Sequence, residues 1–339
     1  MCIRDSSNPP APTSGQPAWG TPNSAGINPS SPPSKPPMPA IHDRRCLHTL
    51  SGHTRWVMAV AISPDGQIVA SGGLDDVIKL WNLTTGELIA TLTGHTKAVN
   101  CLAFSPDSQL LISGSDDDTV RVWQVASGKL LRTLTGHTRD VNSVAVHTDG
   151  QWLVSGSEDR TIRLWKLSSG ETLRIFPNLA GMIRSVAISP DGQTVASGGL
   201  DNQVKLWNLK TGEQIHTFAG KHFNSVNAIV ISPDSKTLVS GSKDKTIKVW
   251  NLTRGEAIRT LSGHSDSVNA ITLSANGRVL VSGSSDKTIR VWQPQTGELR
   301  TTLHESHPIN AVSISPDGGI IASGSSDNTV KLWQVSEAR

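Results

Sequence analysis

From residue 44 onward, short apolar runs alternate with clusters of Gly, Asp, Asn, Ser and Pro. The stretch 93–134 shows the pattern. Val99-Asn100-Cys101-Leu102-Ala103-Phe104 has strand character. Ser105-Pro106-Asp107-Ser108 is turn chemistry, because Pro presets φ and Asp bonds back to the chain. Leu110-Leu111-Ile112-Ser113 predicts a second strand, and a tight turn through Asp116-Asp117-Asp118 leads to a third, Thr119-Val120-Arg121-Val122-Trp123. Ala126-Ser127-Gly128 breaks the pattern before a fourth, Lys129-Leu130-Leu131-Arg132-Thr133-Leu134. No segment is long enough for an amphipathic helix, so the unit is all-β with four antiparallel strands.

The unit recurs. Its third strand closes on Trp81, Trp123, Trp165, Trp207, Trp250, Trp292 and Trp333, spaced 42, 42, 42, 43, 42 and 41 residues apart. Ten residues before each Trp stands a Ser: Ser71, Ser113, Ser155, Ser197, Ser240, Ser282 and Ser323. Six before each stands an Asp: Asp75, Asp117, Asp159, Asp201, Asp244, Asp286 and Asp327. A fixed period of this length marks a repeat architecture, since one such unit cannot bury enough surface to stand alone.

Composition narrows the picture. The net charge is +3 with acids and bases intermixed, so no nucleic-acid partner is expected. Cys2, Cys46 and Cys101 have no regular spacing, which argues against a disulfide framework or a zinc site and fits a cytoplasmic, reducing setting. No apolar run approaches a membrane span. Residues 1–43 are Pro- and Ser-rich without hydrophobic periodicity and are expected to be a disordered linker, with 1–6 reading as a translated adapter scar. Residues 44–339 form the repeat domain.

The recurring Ser, Asp and Trp, with Gly94-His95 and its sisters ahead of them, resemble the WD-repeat family over residues 45–335. Here the residue after the Trp is Asn, Gln or Lys and never the Asp of the family's name. The resemblance implies a seven-bladed β-propeller of four-stranded antiparallel blades. Arg45-Cys46-Leu47-His48-Thr49-Leu50 matches the fourth-strand pattern, and the chain stops soon after Trp333. The N-terminal strand is therefore expected to complete the last blade and close the ring. The evenness of the repeats resembles bacterial, especially cyanobacterial-type, members, some of which are the C-terminal part of serine/threonine kinases.

A recurring Ser, His and Asp invite a hydrolase reading, but the resemblance implies a structural network in which the Trp N–H meets the Ser, the Ser meets the His, and the His meets the Asp. The sets are His53, Ser71, Asp75 and Trp81; His95, Ser113, Asp117 and Trp123; His137, Ser155, Asp159 and Trp165; and His264, Ser282, Asp286 and Trp292. A buried indole N–H needs a partner. Seven copies of one active site have no evident use, and there is no G-x-S-x-G elbow. Blade five keeps His222 behind one inserted residue. Blade four reads Pro177-Asn178-Leu179 in place of Gly-His, and blade seven reads His304-Glu305-Ser306-His307 without an assignable His. Blades four and seven are expected to be looser. No catalysis, cofactor or metal is expected.

Function should sit where the blades differ. The resemblance implies docking on the face built by the loop leading into the first strand and by the turn holding the Asp. Trp56, Met58 and Leu74 would form an apolar patch in blade one, echoed by Met182, Arg184 and Leu200 in blade four. Asp116, Asp140 and Glu158 make an acidic sector between them. Asn100, Asn142, Asn227, Asn269 and Asn310 would line the channel mouth and hold water. The expected function is a monomeric, non-catalytic scaffold binding a protein or peptide with apolar anchors and a basic segment. The alternative is a targeting propeller of a larger signalling enzyme such as a serine/threonine kinase.

Overall fold

The computed structural model describes residues 44–177, 181–220 and 222–335. The expected linker at 1–43 and the departure at 178–180 lie outside the described residues. Twenty-eight strands form seven four-stranded antiparallel sheets, and among the described residues there is no helix. Six sheets take consecutive strands, as in blade one with Val57–Ile62, Ile68–Gly73, Ile78–Asn82 and Leu88–Leu92. The seventh joins the N-terminal strand Arg44–Ser51 to Thr329–Val335, running from Arg44 opposite Val335 to Ser51 opposite Thr329. The ring is closed as the sequence predicts, and the last blade gains its fourth strand from the N-terminal end of the repeat domain.

The core lies between the blades. One apolar cluster joins Ala70, Ile78, Leu80 and Leu92 of blade one to Val99, Phe104, Leu111 and Trp123 of blade two, and six more repeat the arrangement around the ring. Each signature Trp thus packs against the preceding blade. Six of them are 0–4 % exposed, while Trp333 is only partly buried. A Trp burial of roughly 150–250 Å² is worth about 4–6 kcal/mol as an upper bound. The Gly after each network Ser is fixed by the same seam: a Cβ on Gly114 would sit 2.7 Å from Val141 of the next blade. Ala at this position would displace the opening residue of the neighbouring strand.

One irregularity positions the central channel. In every blade the register shifts between the first and third residues of the first strand, as between Val99 and Cys101. The residue inside this bulge is Met58, Asn100, Asn142, Arg184, Asn227, Asn269 or Asn310. A bulge frees one residue from the ladder and re-aims its side chain, here toward the channel.

Candidate functional site

The network is built as expected where a His is present. In all seven blades the Trp Nε1–H donates to the Ser Oγ at 2.8–3.0 Å. In blades one, two, three, five and six the His Nε2 lies 2.7–2.8 Å from the same Oγ. The His Nδ1 lies 2.7–2.9 Å from the Asp carboxylate. One assignment satisfies every group: Trp N–H to Ser O, Ser O–H to His Nε2, His Nδ1–H to Asp. His222 serves in blade five despite the insertion. The Asp also accepts a backbone N–H from the residue after the His, as from Thr54 at 2.9 Å.

Electrostatics follow from this order. Burial would raise the carboxyl of Asp117, but hydrogen bonds from His95 and Thr119 overcome it and hold the group well below the usual carboxylate range. Asp159 and Asp244 behave alike. Asp286 is held at about 2, burial again being outweighed by hydrogen bonds from Thr288, the Ser265 backbone and His264. Burial lowers His53 and His264 further than their Asp partners raise them. The hydroxyls are sealed, each network Ser being at most 1 % exposed and already bonded to an indole. They cannot reach a substrate.

Blades four and seven solve the same problem with other residues. In blade four the buried Lys205 donates to Asp201 at 2.5 Å. In blade seven Glu305 stands where the His would be: Ser323 Oγ donates to it at 3.3 Å, and Lys331 pairs with both Glu305 and Asp327. Burial raises the Glu305 carboxyl, Lys331 only partly opposing it. Neither His304 nor His307 takes part in this network. The signal missed in the sequence was the residue two before each Trp, which is Lys or Arg in all seven blades. In three of the five His blades it covers the indole face, as Arg163 does at 5.9 Å, in blade two Arg121 lies 3.7 Å from Asp117, and in the two blades without a His the Lys pairs with the Asp.

On the opposite side of these turns the predicted face comes together in pairs. The backbone N–H of Leu74 donates to Trp56 O at 2.9 Å, and that of Leu200 to Met182 O at 3.1 Å, so each apolar pair shares one hairpin mouth. Trp56 is 52 % exposed and Leu200 45 %, while Met58, Leu74 and Met182 are half-buried. Asp116 and Glu158 pair in the same way with Ala98 and Asp140. Burial, with repulsion from Asp140 and Glu158, raises the Asp116 carboxyl although Asn100 donates to it at 2.5 Å. The acidic sector is a real cluster, and Arg184 reaches into it, 3.5 Å from Glu158. Met58, Arg184, Leu200 and the asparagines line a funnel of about 570 Å³ at the channel mouth.

A family model for the WD domain, G-beta repeat, matches residues 44–82, 86–124, 128–166, 170–208, 212–251, 255–293 and 297–334. The chain belongs to the WD40 family. Each match to the WD40 repeat starts at or just before the outer strand of one blade and ends just after the Trp of the next, the offset that ring closure requires. Among curated proteins, Protein Mut11 of Chlamydomonas reinhardtii is 50 % identical over 54 residues, 16 % of this chain and 14 % of that protein. The small ribosomal subunit protein RACK1z of Arabidopsis thaliana is 56 % identical over 39 residues, 12 % of each chain. The pre-mRNA-splicing factor prp46 of Aspergillus fumigatus is 43 % identical over 44 residues, 13 % of this chain and 10 % of that one. The chain thus spans about an eighth of the length of the curated relatives it matches, and each overlap is about one WD40 repeat. These relatives are eukaryotic and lend no support to a bacterial type.

Two features of this WD40 face go beyond the sequence reading. The asparagines do more than line a wet channel. Each donates its side-chain amide to the backbone carbonyl that opens the next blade: Asn100 to Val141, Asn142 to Ile183, Asn227 to Val268, Asn269 to Ile309 and Asn310 to Val57, at 2.8–3.2 Å. They are staples across five seams. The second feature is Phe223, 88 % exposed at the loop leading into blade five. The residue after the network His is Thr or Ser in the other four His blades, so the departure was visible.

Proposed function

We propose that this propeller is a protein-interaction scaffold that holds an extended peptide on the face of the leading loops. The observation that carries the reading is the pairing of exposed Trp56 with Leu74 in blade one and of Met182 with exposed Leu200 in blade four, with Asp116, Asp140 and Glu158 on the two blades between. Apolar anchors around a carboxylate cluster suit a peptide whose hydrophobic residues flank a Lys/Arg run. The relatives' names speak of a ribosomal subunit and of pre-mRNA splicing, which agrees with a scaffold role and names no partner for this chain. The chain acts without catalysis, as a monomer in the cytoplasm. A targeting propeller of a signalling kinase is the second reading, supported by the Pro/Ser-rich composition of 7–40.

The test is fluorescence anisotropy with synthetic peptides carrying Leu or Phe on both sides of a Lys/Arg run. Binding should weaken with salt, and Trp56→Ala with Leu74→Ala should weaken it roughly tenfold or more. Affinity unchanged in that double variant would remove blade one from the site.

A further inference from the structure

At the end of the blades that carries the Pro-Asp turns, each seam is closed by two residues. One stands two positions after the Trp, and it is a buried Leu or Val in six blades, Leu83, Leu167 and Leu252 among them. The other opens the second strand of the preceding blade, as Ile68, Leu110 and Trp152 do. Between blades five and six both positions are reduced. The first is Pro294, whose side chain is tied back to its own nitrogen, and the second is Thr237.

Pro294 also has no N–H. The bond that Leu252 N makes to Lys236 O, repeated in the other five blades, therefore has no counterpart in blade six, and Gln295 Nε2 instead donates to Gly277 O at 2.8 Å. The consequence is a cavity of about 390 Å³, at the lower end of the ~300–1,000 Å³ usual for ligand sites. Val239 and Val249, both buried core residues, are among its walls, with Leu273, Ile258, Pro233 and Pro294. Exposed Asp234, Asn276 and Gln295 supply the polar rim. Asp234 is the one charged side chain among the lining residues. Its Oδ1 accepts from Ser232 Oγ and the Lys236 N–H, and these hydrogen bonds hold the carboxyl below the usual range, so the rim carries an anion.

The vacancy has the chemistry of the aliphatic side chain that the other blades supply from within. We propose that this cavity binds a leucine-type side chain of a partner peptide, with a cationic neighbour of that residue meeting Asp234. The site is separate from the Trp56 face and does not depend on the reading of it.

The experiment is methyl NMR of the full chain titrated with acetyl-Leu-Lys-amide. The methyls of Val239, Val249, Ile258 and Leu273 should shift together and saturate. Acetyl-Ala-Lys-amide should bind on the order of tenfold more weakly, since it buries fewer methylenes, and Trp56→Ala should change nothing. Thr237→Ile with Pro294→Leu fills the cavity and should abolish the shifts while the melting temperature is held or raised. Ile258→Asp, at an exposed strand position, gives a second loss that does not touch the core. No shift in the wild type, or equal shifts in the filled variant, would overturn the proposal. Acetyl-Leu-Glu-amide binding as tightly as the Lys probe would overturn the role given to Asp234.

Discussion

Ser113 tests whether the polar network matters to stability. Its hydroxyl is fully buried and serves two partners, accepting from Trp123 Nε1 at 2.8 Å and facing His95 Nε2 at 2.8 Å. Ser113→Ala removes one oxygen, too small a change for a packing effect, and leaves both partners buried and unpaired. Each orphaned group costs about 1–3 kcal/mol, so the expected loss is roughly 2–6 kcal/mol. Indole burial remains, so the blade should survive. The assay is urea unfolding followed by Trp fluorescence, with Ser127→Ala as a control. Ser127 is exposed, bonds only locally to Gln124 and the Lys129 N–H, and should change stability by less than about 0.5 kcal/mol. A double-mutant cycle sharpens the test. Trp123→Phe removes the N–H that Ser113→Ala orphans, so it should cost about 1–2 kcal/mol less in the Ala background than in the wild type. A Ser113→Ala loss no larger than the control, or a strictly additive cycle, would refute the network as a source of stability.

Three further outcomes follow from other parts of the ring. Deleting 44–51 should lower the melting temperature and blunt the transition, because Thr329–Val335 loses its outer partner; an unchanged melting curve would rule out closure by that strand. Asn142→Ala, which removes the hydrogen bond to Ile183 O, should lower the urea unfolding free energy by about 1 kcal/mol, whereas Met58→Asn, which installs the missing staple toward Val99, should be neutral or stabilising; equal losses in both would discount the staples. Acid should unfold the protein in two stages. His53 and His264 are depressed below the ordinary 6.5, so their contribution is present above that pH and fades as pH falls through their folded values. The contribution of Asp286 is present above its ordinary 3.8 and is lost as pH falls toward about 2, so Asp286→Asn should flatten the lower limb of a melting-temperature profile.

Much of the fold was legible because period and side-chain direction are local properties. The Trp, Ser and Asp positions lie at constant offsets, and a strand that begins the chain in the pattern of a fourth strand has only one blade left to complete. What failed to appear was whatever depends on an added residue or an exchanged partner. A bulge is one residue without a ladder partner, and nothing in the composition of Val99-Asn100-Cys101 marks it, so the asparagines were placed at the channel mouth without their bonds across the seams. Glu305 was passed over because the search was for a His. The network needs a buried polar group between Ser323 and the cation Lys331, and a carboxylate meets that need.

Blades one and four depart from the other five at several linked positions. Five blades carry a Ser two residues after the network Ser. Its hydroxyl donates to the leading loop, as Ser157 does to Arg139 O at 2.9 Å. Blades one and four have Gly73 and Gly199 instead, and there the loop settles closer: a Cβ on Gly199 would lie 1.9 Å from Met182 O, and on Gly73 2.9 Å from Trp56 O. The same two blades also lack the Asn staple, with Met58 and Arg184 in its place, and carry Leu74 and Leu200 before the network Asp. Each loss removes a hydrogen bond worth about 1 kcal/mol net, and both fall in the blades that expose apolar pairs. The substitutions at Gly73, Gly199, Met58 and Arg184 thus fall in the same two blades as the apolar pairs, so the loops carrying Trp56 and Met182 differ from the other five as units.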